Sequence, residues 1–294
     1  MKQIEQGVDF FKIYGNLTKE SHYSIAEISR AHGITFAGHI PIRLDIWEVI
    51  AAGQASIEHS EGILDASTSK PEEFASRFPK FQIFSEEAQE FLIETFDSAK
   101  FNALIDTLAI SETWWTPTLT NMYMSSSHDR LHDEDSLFQY LPEHIMEWWK
   151  SSIGEPSEIR KKRFKFLSTL IGILEKRGVK ILAGTDYPSP FCYPGFSLHD
   201  ELNLLVQGGL STSAALRTAT INPTIFMKKE NEFGLLKQNH LASMVLLNSN
   251  PLKDINNVRD IEGVFLRGQY LNRPALDSLL RSAKSIAANM QSPF

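Results

Sequence analysis

Short apolar runs alternate with helical patterns along the first 60 residues. The runs at 8–14, 34–39 and 55–59 have the length of buried strands, and apolar residues at helical spacing fill the intervals between them. Gly33 and Gly53 stand where the two predicted helices end. This short alternation predicts a parallel sheet with right-handed crossovers, and therefore an α/β protein.

The middle of the chain carries two more strand-like runs, separated by longer segments. Residues 62–111 have a mostly helical pattern and interrupt the alternation, so we interpret them as an insertion. A fourth run follows at 114–119, then a second insertion at about 120–157 and a long helix that Gly178 ends. The run at 180–186 is the fifth strand. The chain thus offers about five of the eight strands that a closed barrel needs.

The C-terminal part changes from helical to strand-like patterning. Ser197 has the sequence context of a capping residue that begins a helix. Segments 242–247 and 263–270 alternate apolar and polar residues, and Arg267 and Gly268 favour a tight turn. These features predict a small antiparallel unit after the barrel strands.

Composition limits the classes of protein that the chain can belong to. With 294 residues, 42% of them hydrophobic, it can bury one large core, or one core and a small satellite. The net charge is -7, and the basic cluster at 160–163 lies in a helical pattern, which indicates a solvated helix face and not a nucleic-acid site. Cys192 is the only cysteine, so no intrachain disulfide can form. No apolar run approaches the roughly 18 residues of a membrane span.

Four polar residues stand at or near the ends of the strand-like runs: Lys12, His39, His59 and Asp186. The carboxyl ends of successive barrel strands form the catalytic mouth of such folds. His39 and His59 are 20 residues apart, the length of one strand and helix repeat, so we expect equivalent positions on neighbouring strands. Imidazole and carboxylate groups suit zinc, and also manganese, iron or cobalt.

Each of these residues has a structural alternative. Lys12 is either buried for a reason or an edge-strand lysine that reaches solvent. The two histidines could be core residues whose ring nitrogens have hydrogen-bond partners. Asp186 could cap a helix or form a turn. His199, within the helix after Asp186, could be a surface histidine.

The order lysine, histidine, histidine, aspartate resembles the amidohydrolase superfamily, most closely its imidazolonepropionase-like and prolidase-like branch. The resemblance extends through three C-terminal segments, at 198–202, 214–223 and 250–255. The family uses a His-x-His pair on its first strand, and these residues contain none. The chain therefore resembles the C-terminal two-thirds of a metal-dependent hydrolase, truncated at its N-terminus.

This resemblance implies a domain organisation. It implies a partial TIM-type (β/α)8 barrel over 1–230, C-terminal strands of a small β-sandwich over 231–273, and a C-terminal helix over 274–294. Since an incomplete barrel leaves strand edges unpaired, we expect self-association or a separate N-terminal half as partner.

The resemblance also implies chemistry. A carbamylated Lys12 would bridge two divalent ions, His39 and His59 would hold one of them, and Asp186 would bind metal and accept a proton. His199 would face the mouth as a weaker substrate contact. The expected reaction is hydrolysis of a carbon–nitrogen bond in a small amide, cyclic amide or dipeptide. Zinc is the expected metal, with one or two ions in a complete enzyme and one or none here.

The alternative to an enzyme is a non-catalytic remnant, or a C-terminal half that needs a separately encoded N-terminal half. Metal content distinguishes the two, since near-stoichiometric metal favours the enzyme. The cellular location depends on the start of the chain. A natural start at Met1 predicts a cytoplasmic protein, and a missing upstream segment leaves export open.

Overall fold

The computed structural model describes residues 2–79, 82–127, 136–152, 154–155 and 157–290. The chain folds into two compact units. The first unit comprises Met1–Pro117 and Lys165–Leu182, and the second comprises Thr118–Phe164 and Ala183–Phe294. Parts of both predicted insertions and of the C-terminal helix lie outside the described residues, at 80–81, 128–135, 153, 156 and 291–294.

Helices and strands alternate at the start of the chain, as predicted. In chain order up to Pro117 the elements are α1 (Lys2–Glu5), β1 (Phe10–Ile13), α2 (Lys19–His32), β2 (Thr35–Gly38), α3 (Ile46–Ala52), β3 (Ser56–Glu58), α4 (Ile63–Ala66), α5 (Pro71–Arg77), α6 (Glu86–Glu94), α7 (Ser98–Ile110) and β4 (Trp114–Thr116). The segment predicted as a helical insertion thus contains α4 to α7.

The remaining elements are mostly helical, with three strands near the end. They are α8 (Leu119–Ser126), a 3-10 helix (Ser136–Tyr140), α9 (Glu143–Ser152), α10 (Glu158–Lys176), α11 (Ser197–Gln207), α12 (Thr212–Thr218), α13 (Ile221–Phe226), β5 (Met244–Leu247), a second 3-10 helix (Ile255–Arg259), β6 (Ile261–Leu266), β7 (Gln269–Asn272) and α14 (Arg273–Asn289).

The first unit contains a parallel sheet in the order β1-β2-β3-β4. The predicted fifth strand appears as a single parallel bridge between Trp115 and Ile181, flanked by hydrogen bonds from Trp115 N–H to the Lys180 carbonyl and from Leu182 N–H to the Trp115 carbonyl. The sheet and its helices confirm the predicted α/β class and part of a barrel.

Local sequence explains the helices that flank the first strands. Thr18 caps α2 by accepting a hydrogen bond from Ser21 N–H, and Gly33 ends that helix in the left-handed conformation. Asp45 and Glu48 form a complete capping box at the start of α3. The apolar faces of these helices pack with Ile13 of β1 and Phe36 of β2 in one core cluster.

The second unit holds the antiparallel sheet β5-β6-β7, with β6 and β7 joined by Arg267 and Gly268, both at positive φ. This hairpin confirms the predicted turn. A separate aromatic core surrounds the fully buried Trp149.

Ser197 does not cap α11, because it lies inside the helix and its Oγ accepts a hydrogen bond from Tyr193 N–H. The predicted capping role was wrong. The domain boundaries expected at 230 and 273 stay a prediction.

Candidate active site

Two histidines directly follow neighbouring strands of the parallel sheet. His39 comes after the last residue of β2, and its N–H donates to the Ile13 carbonyl of β1. His59 comes after Glu58, the last residue of β3, and its N–H donates to the Thr116 carbonyl of β4. One backbone hydrogen bond to a neighbouring strand therefore holds each histidine at the carboxyl edge of the sheet.

The two imidazoles lie side by side, with ring centroids 4.9 Å apart. One ligand atom each from His39, Glu58 and His59 lies within 4.8 Å of the other two. A tetrahedral ion with bonds of about 2.1 Å holds its ligand atoms about 3.4 Å apart. Small side-chain adjustments would bring these three groups to that spacing, so two imidazoles and a carboxylate form a donor set that fits a divalent metal.

Glu58 is a member of this cluster that the sequence did not indicate. Residues 58 and 59 adjoin, and in a regular strand their side chains would point to opposite faces of the sheet. His59 instead has φ 59°, in the left-handed region that non-glycine residues rarely adopt. The strand pattern ends at this residue, and both ligand atoms belong to one cluster. Strained backbone of this kind is concentrated at functional sites.

Lys12, on β1, forms an ion pair with Glu58. Its side chain is 41% exposed, which fits the alternative of a strand-end lysine that reaches solvent. A carbamate on Lys12 would be an anion next to the Glu58 carboxylate, so its formation would replace this ion pair. The predicted carbamate stays a prediction.

Glu61 orients the first histidine. His39 Nδ1–H donates to Glu61 Oε1 at 2.9 Å, and Ile40 N–H donates to Glu61 Oε2, also at 2.9 Å. The hydrogen bond that His39 donates to Glu61 raises the pKa of His39 above its ordinary value, against the opposing effect of burial. With Nδ1 engaged, Nε2 is the nitrogen available to a metal, as in the carboxylate–histidine–metal arrangement of many metal sites.

Two glycines allow the close packing of this edge. Gly38, just before His39, has φ 139°, and a Cβ there would lie 2.3 Å from the Ile13 carbonyl oxygen. Gly62, just after Glu61, has φ 76°, and a Cβ there would lie 2.6 Å from Ile40 Cδ1. Neither position accepts a side chain without displacement of its neighbours.

A buried glutamine joins the strands that carry the histidines. Gln54 Nε2 donates to the carbonyls of Gly38, His39 and Ser56, at 3.0, 3.1 and 2.9 Å. Its Oε1 contacts His22 Nε2 at 3.0 Å. Gln54 is fully buried, so its amide supplies a protein donor to carbonyls beside it in the interior.

Asp186 and His199 lie in the second unit. Asp186 has φ 60°, and its Oδ2 accepts hydrogen bonds from Asn121 Nδ2 at 2.7 Å and Ser189 Oγ at 2.8 Å. Burial, followed by the positive charge of Arg259, lowers the pKa of His199. The structure thus brings Lys12, His39 and His59 to one cluster with Glu58. The predicted roles of Asp186 and His199 stay predictions.

Cys192 is fully buried in the second unit, and burial raises the pKa of its thiol. A thiol in that state is a poor nucleophile.

Among the described residues, no helix has both the length and the apolar character needed to cross a bilayer.

Solved structures share the fold of this chain. Bottromycin amidohydrolase has a TM-score of 0.77 and 20% identity, over 97% of this chain and 60% of that protein. A Xaa-Pro dipeptidase with bound methionine in its active site has a TM-score of 0.56 and 18% identity, over 92% of this chain and 56% of the other. A prolidase complexed with N-methylphosphonate-L-proline has a TM-score of 0.55 and 16% identity, over 92% and 57%.

At these identities the likeness shows the fold alone, and the chain spans about 60% of the length of bottromycin amidohydrolase. None of the curated protein sequences matches the chain. The sequence profile of the Amidohydrolase family matches residues 120–271, just over half of the chain. The chain therefore belongs to the amidohydrolase family.

Proposed function

We propose that this chain carries the metal-binding edge of an amidohydrolase that hydrolyses carbon–nitrogen bonds in small amides, cyclic amides or dipeptides. The observation that carries the proposal is the cluster of His39, Glu58 and His59, whose ligand atoms lie within 4.8 Å of one another at the ends of adjacent strands. Family membership supports the reaction class. The dipeptidase and prolidase among the similar structures support a small substrate.

The histidines and Glu58 would hold a divalent ion, of which zinc suits the donor set best. When bound, such an ion lowers the pKa of a water molecule and polarises a substrate carbonyl. Glu61 favours the His39 tautomer that carries its proton on Nδ1, and this leaves the Nε2 lone pair for the ion. Gln54 donates to the His39 carbonyl, and a backbone hydrogen bond to a neighbouring strand holds each of the two histidines.

Asp186 is proposed as the group that accepts a proton during hydrolysis and returns it to the leaving amine. Its anchored carboxylate, with both donors on Oδ2, supports this role. Lys12 is proposed as a further anionic ligand once carbamylated, and His199 as a substrate contact. The barrel, sandwich-strand and C-terminal helix boundaries at 230 and 273 are proposed likewise.

Metal binding tests the proposal most directly. Zinc titrated into the protein by calorimetry should bind near stoichiometrically. His39→Ala and Glu58→Gln should each weaken binding at least 10-fold, and Glu61→Gln should weaken it by about 10- to 100-fold, because it loses the anion that orients His39. His32→Ala is the matched control, since His32 is an exposed histidine of the same unit. Unchanged affinity in His39→Ala would refute the site.

Turnover forms the second part of the test. The zinc-loaded protein should hydrolyse at least one member of a panel of Xaa-Pro dipeptides and cyclic amides, and Asp186→Asn should lose turnover more than zinc affinity. Zinc binding without turnover on the whole panel would favour the alternative of a non-catalytic part that needs a separate N-terminal half.

A further inference from the structure

The carboxylate of Asp186 is held through one of its two oxygens. Both of its side-chain donors, Asn121 Nδ2 and Ser189 Oγ, reach Oδ2, at 2.7 and 2.8 Å. Two donors occupy the lone pairs of that oxygen and fix the side-chain torsions. In the part of the chain that the structure describes, Oδ1 therefore keeps its lone pairs for an incoming proton.

Asn121 belongs to the first turn of α8, whose N-terminus is capped in an unusual way. The residue before the helix, Thr118, has φ 49° and its side chain does not cap the helix. The acceptor comes from another helix. Glu201 of α11 accepts hydrogen bonds from Leu119 N–H at 3.0 Å and from Thr120 N–H at 2.7 Å.

The use of Glu201 as the capping acceptor carries a cost in folding free energy. Its side chain is fully buried, and among the described residues no lysine, arginine or histidine pairs with it. Thr120 Oγ1 donates a third hydrogen bond at 2.8 Å. Burial of an unpaired carboxylate opposes folding unless hydrogen bonds and a helix N-terminus compensate it. All three bonds hold the turn that begins α8, and Asn121 is the third residue of that turn.

We propose that Asn121 is a positioning residue for Asp186, and that Glu201 fixes the helix turn that presents it. Asn121 and Ser189 together hold Oδ2. The Asp186 side chain therefore keeps one orientation, and Oδ1 points in one direction. The inference rests on the proposed role of Asp186 as proton acceptor. It adds to that role the part of the fold that orients the carboxylate.

Kinetics of paired variants test the role of the Asn121 amide. Asn121→Ala should lower kcat about 10- to 100-fold with KM within twofold, because a misdirected carboxylate affects the chemical step and not substrate binding. Asn121→Asp keeps the shape but replaces the donor by an anion next to Asp186, and it should be at least as impaired. Asn256→Ala is the matched control, since Asn256 also donates to an aspartate, Asp254, on an exposed turn. Near wild-type kcat in Asn121→Asp would overturn the proposal.

Crystal structures separate this inference from the proposed function. In Asn121→Ala, and independently in Ser189→Ala, the Asp186 side chain should adopt a second torsion or become disordered while the fold is kept. An unchanged, well-ordered Asp186 in both variants would overturn the positioning role. Full turnover in Asp186→Asn would instead remove the proton-acceptor role, whatever the conformation of Asp186 in the other variants.

Discussion

Replacement of Glu201 by glutamine offers a sharp test of the electrostatics inside the second unit. Burial raises the pKa of Glu201 from its ordinary value of 4.5 to about 7, even though hydrogen bonds from Thr120 and Leu119 lower it. The folded protein thus holds a proton on this group between about pH 4.5 and 7, where the unfolded chain has lost it. Stability falls with rising pH wherever the folded state binds more protons.

The magnitude follows from the size of the shift. Each pKa unit corresponds to about 1.4 kcal/mol, so a rise from 4.5 to about 7 costs the wild type roughly 3 kcal/mol of unfolding free energy once the pH exceeds both values. Most of that loss, roughly 2 to 3 kcal/mol, falls between pH 5 and pH 8. Glutamine does not titrate, so the Glu201→Gln protein lacks this contribution.

Glutamine also places an amide donor opposite one of the helix N–H groups, which costs about 1–3 kcal/mol at any pH. The two effects differ in their pH dependence. We therefore expect Glu201→Gln to be less stable than the wild type at pH 5, and the difference to shift by roughly 2 to 3 kcal/mol in favour of the variant by pH 8.

Urea unfolding at half-unit steps from pH 5 to pH 8 measures this shift. Glu230→Gln is the matched control, because it removes the same charge from an exposed position. Its stability difference from the wild type should stay nearly constant over this range. A constant difference for Glu201→Gln as well would refute the reasoning, since it would mean that Glu201 does not change its charge within this window in the folded protein.

Three further predictions concern single residues. Gly38→Ala should lower the unfolding free energy by about 3 kcal/mol or more, because its Cβ would overlap the Ile13 carbonyl; a loss under 1 kcal/mol in urea unfolding would contradict this close approach. Gln54→Leu should lower the unfolding free energy by about 3 kcal/mol and weaken zinc binding, because the strand-end carbonyls lose their donor. Unchanged zinc affinity by calorimetry would disprove the role of Gln54 at the site. Cys192 should react with a thiol reagent only after urea unfolding, and fast labelling of the folded protein would show that it is not buried.

Local patterning determined much of the first unit. Apolar runs of strand length, helical spacing between them and the glycines at 33 and 53 predict β1 to β3 and their helices, because these signals act within a few residues. The placement of His39 and His59 on neighbouring strand ends followed from their spacing in the chain. The hairpin at Arg267 followed from turn chemistry in the same way.

Tertiary structure alone decided which groups join those histidines. Glu58 belongs to the cluster even though strand alternation would separate its side chain from that of its neighbour His59, whose left-handed backbone ends the alternation. Glu61 and Gln54 act through side-chain hydrogen bonds to residues on other elements.

The hydrogen-bond partners of Asp186 in the second unit could not be predicted from local sequence either. Asn121 and Asp186 are 65 residues apart in the chain, and Glu201 holds a helix turn 81 and 82 residues before it. Periodicity and capping signals report on the nearest turn of the chain, whereas a buried carboxylate finds its donors only once the helices have packed. The sequence by itself therefore determined the elements and the candidate ligands at the strand ends, and packing determined the polar partners that orient them.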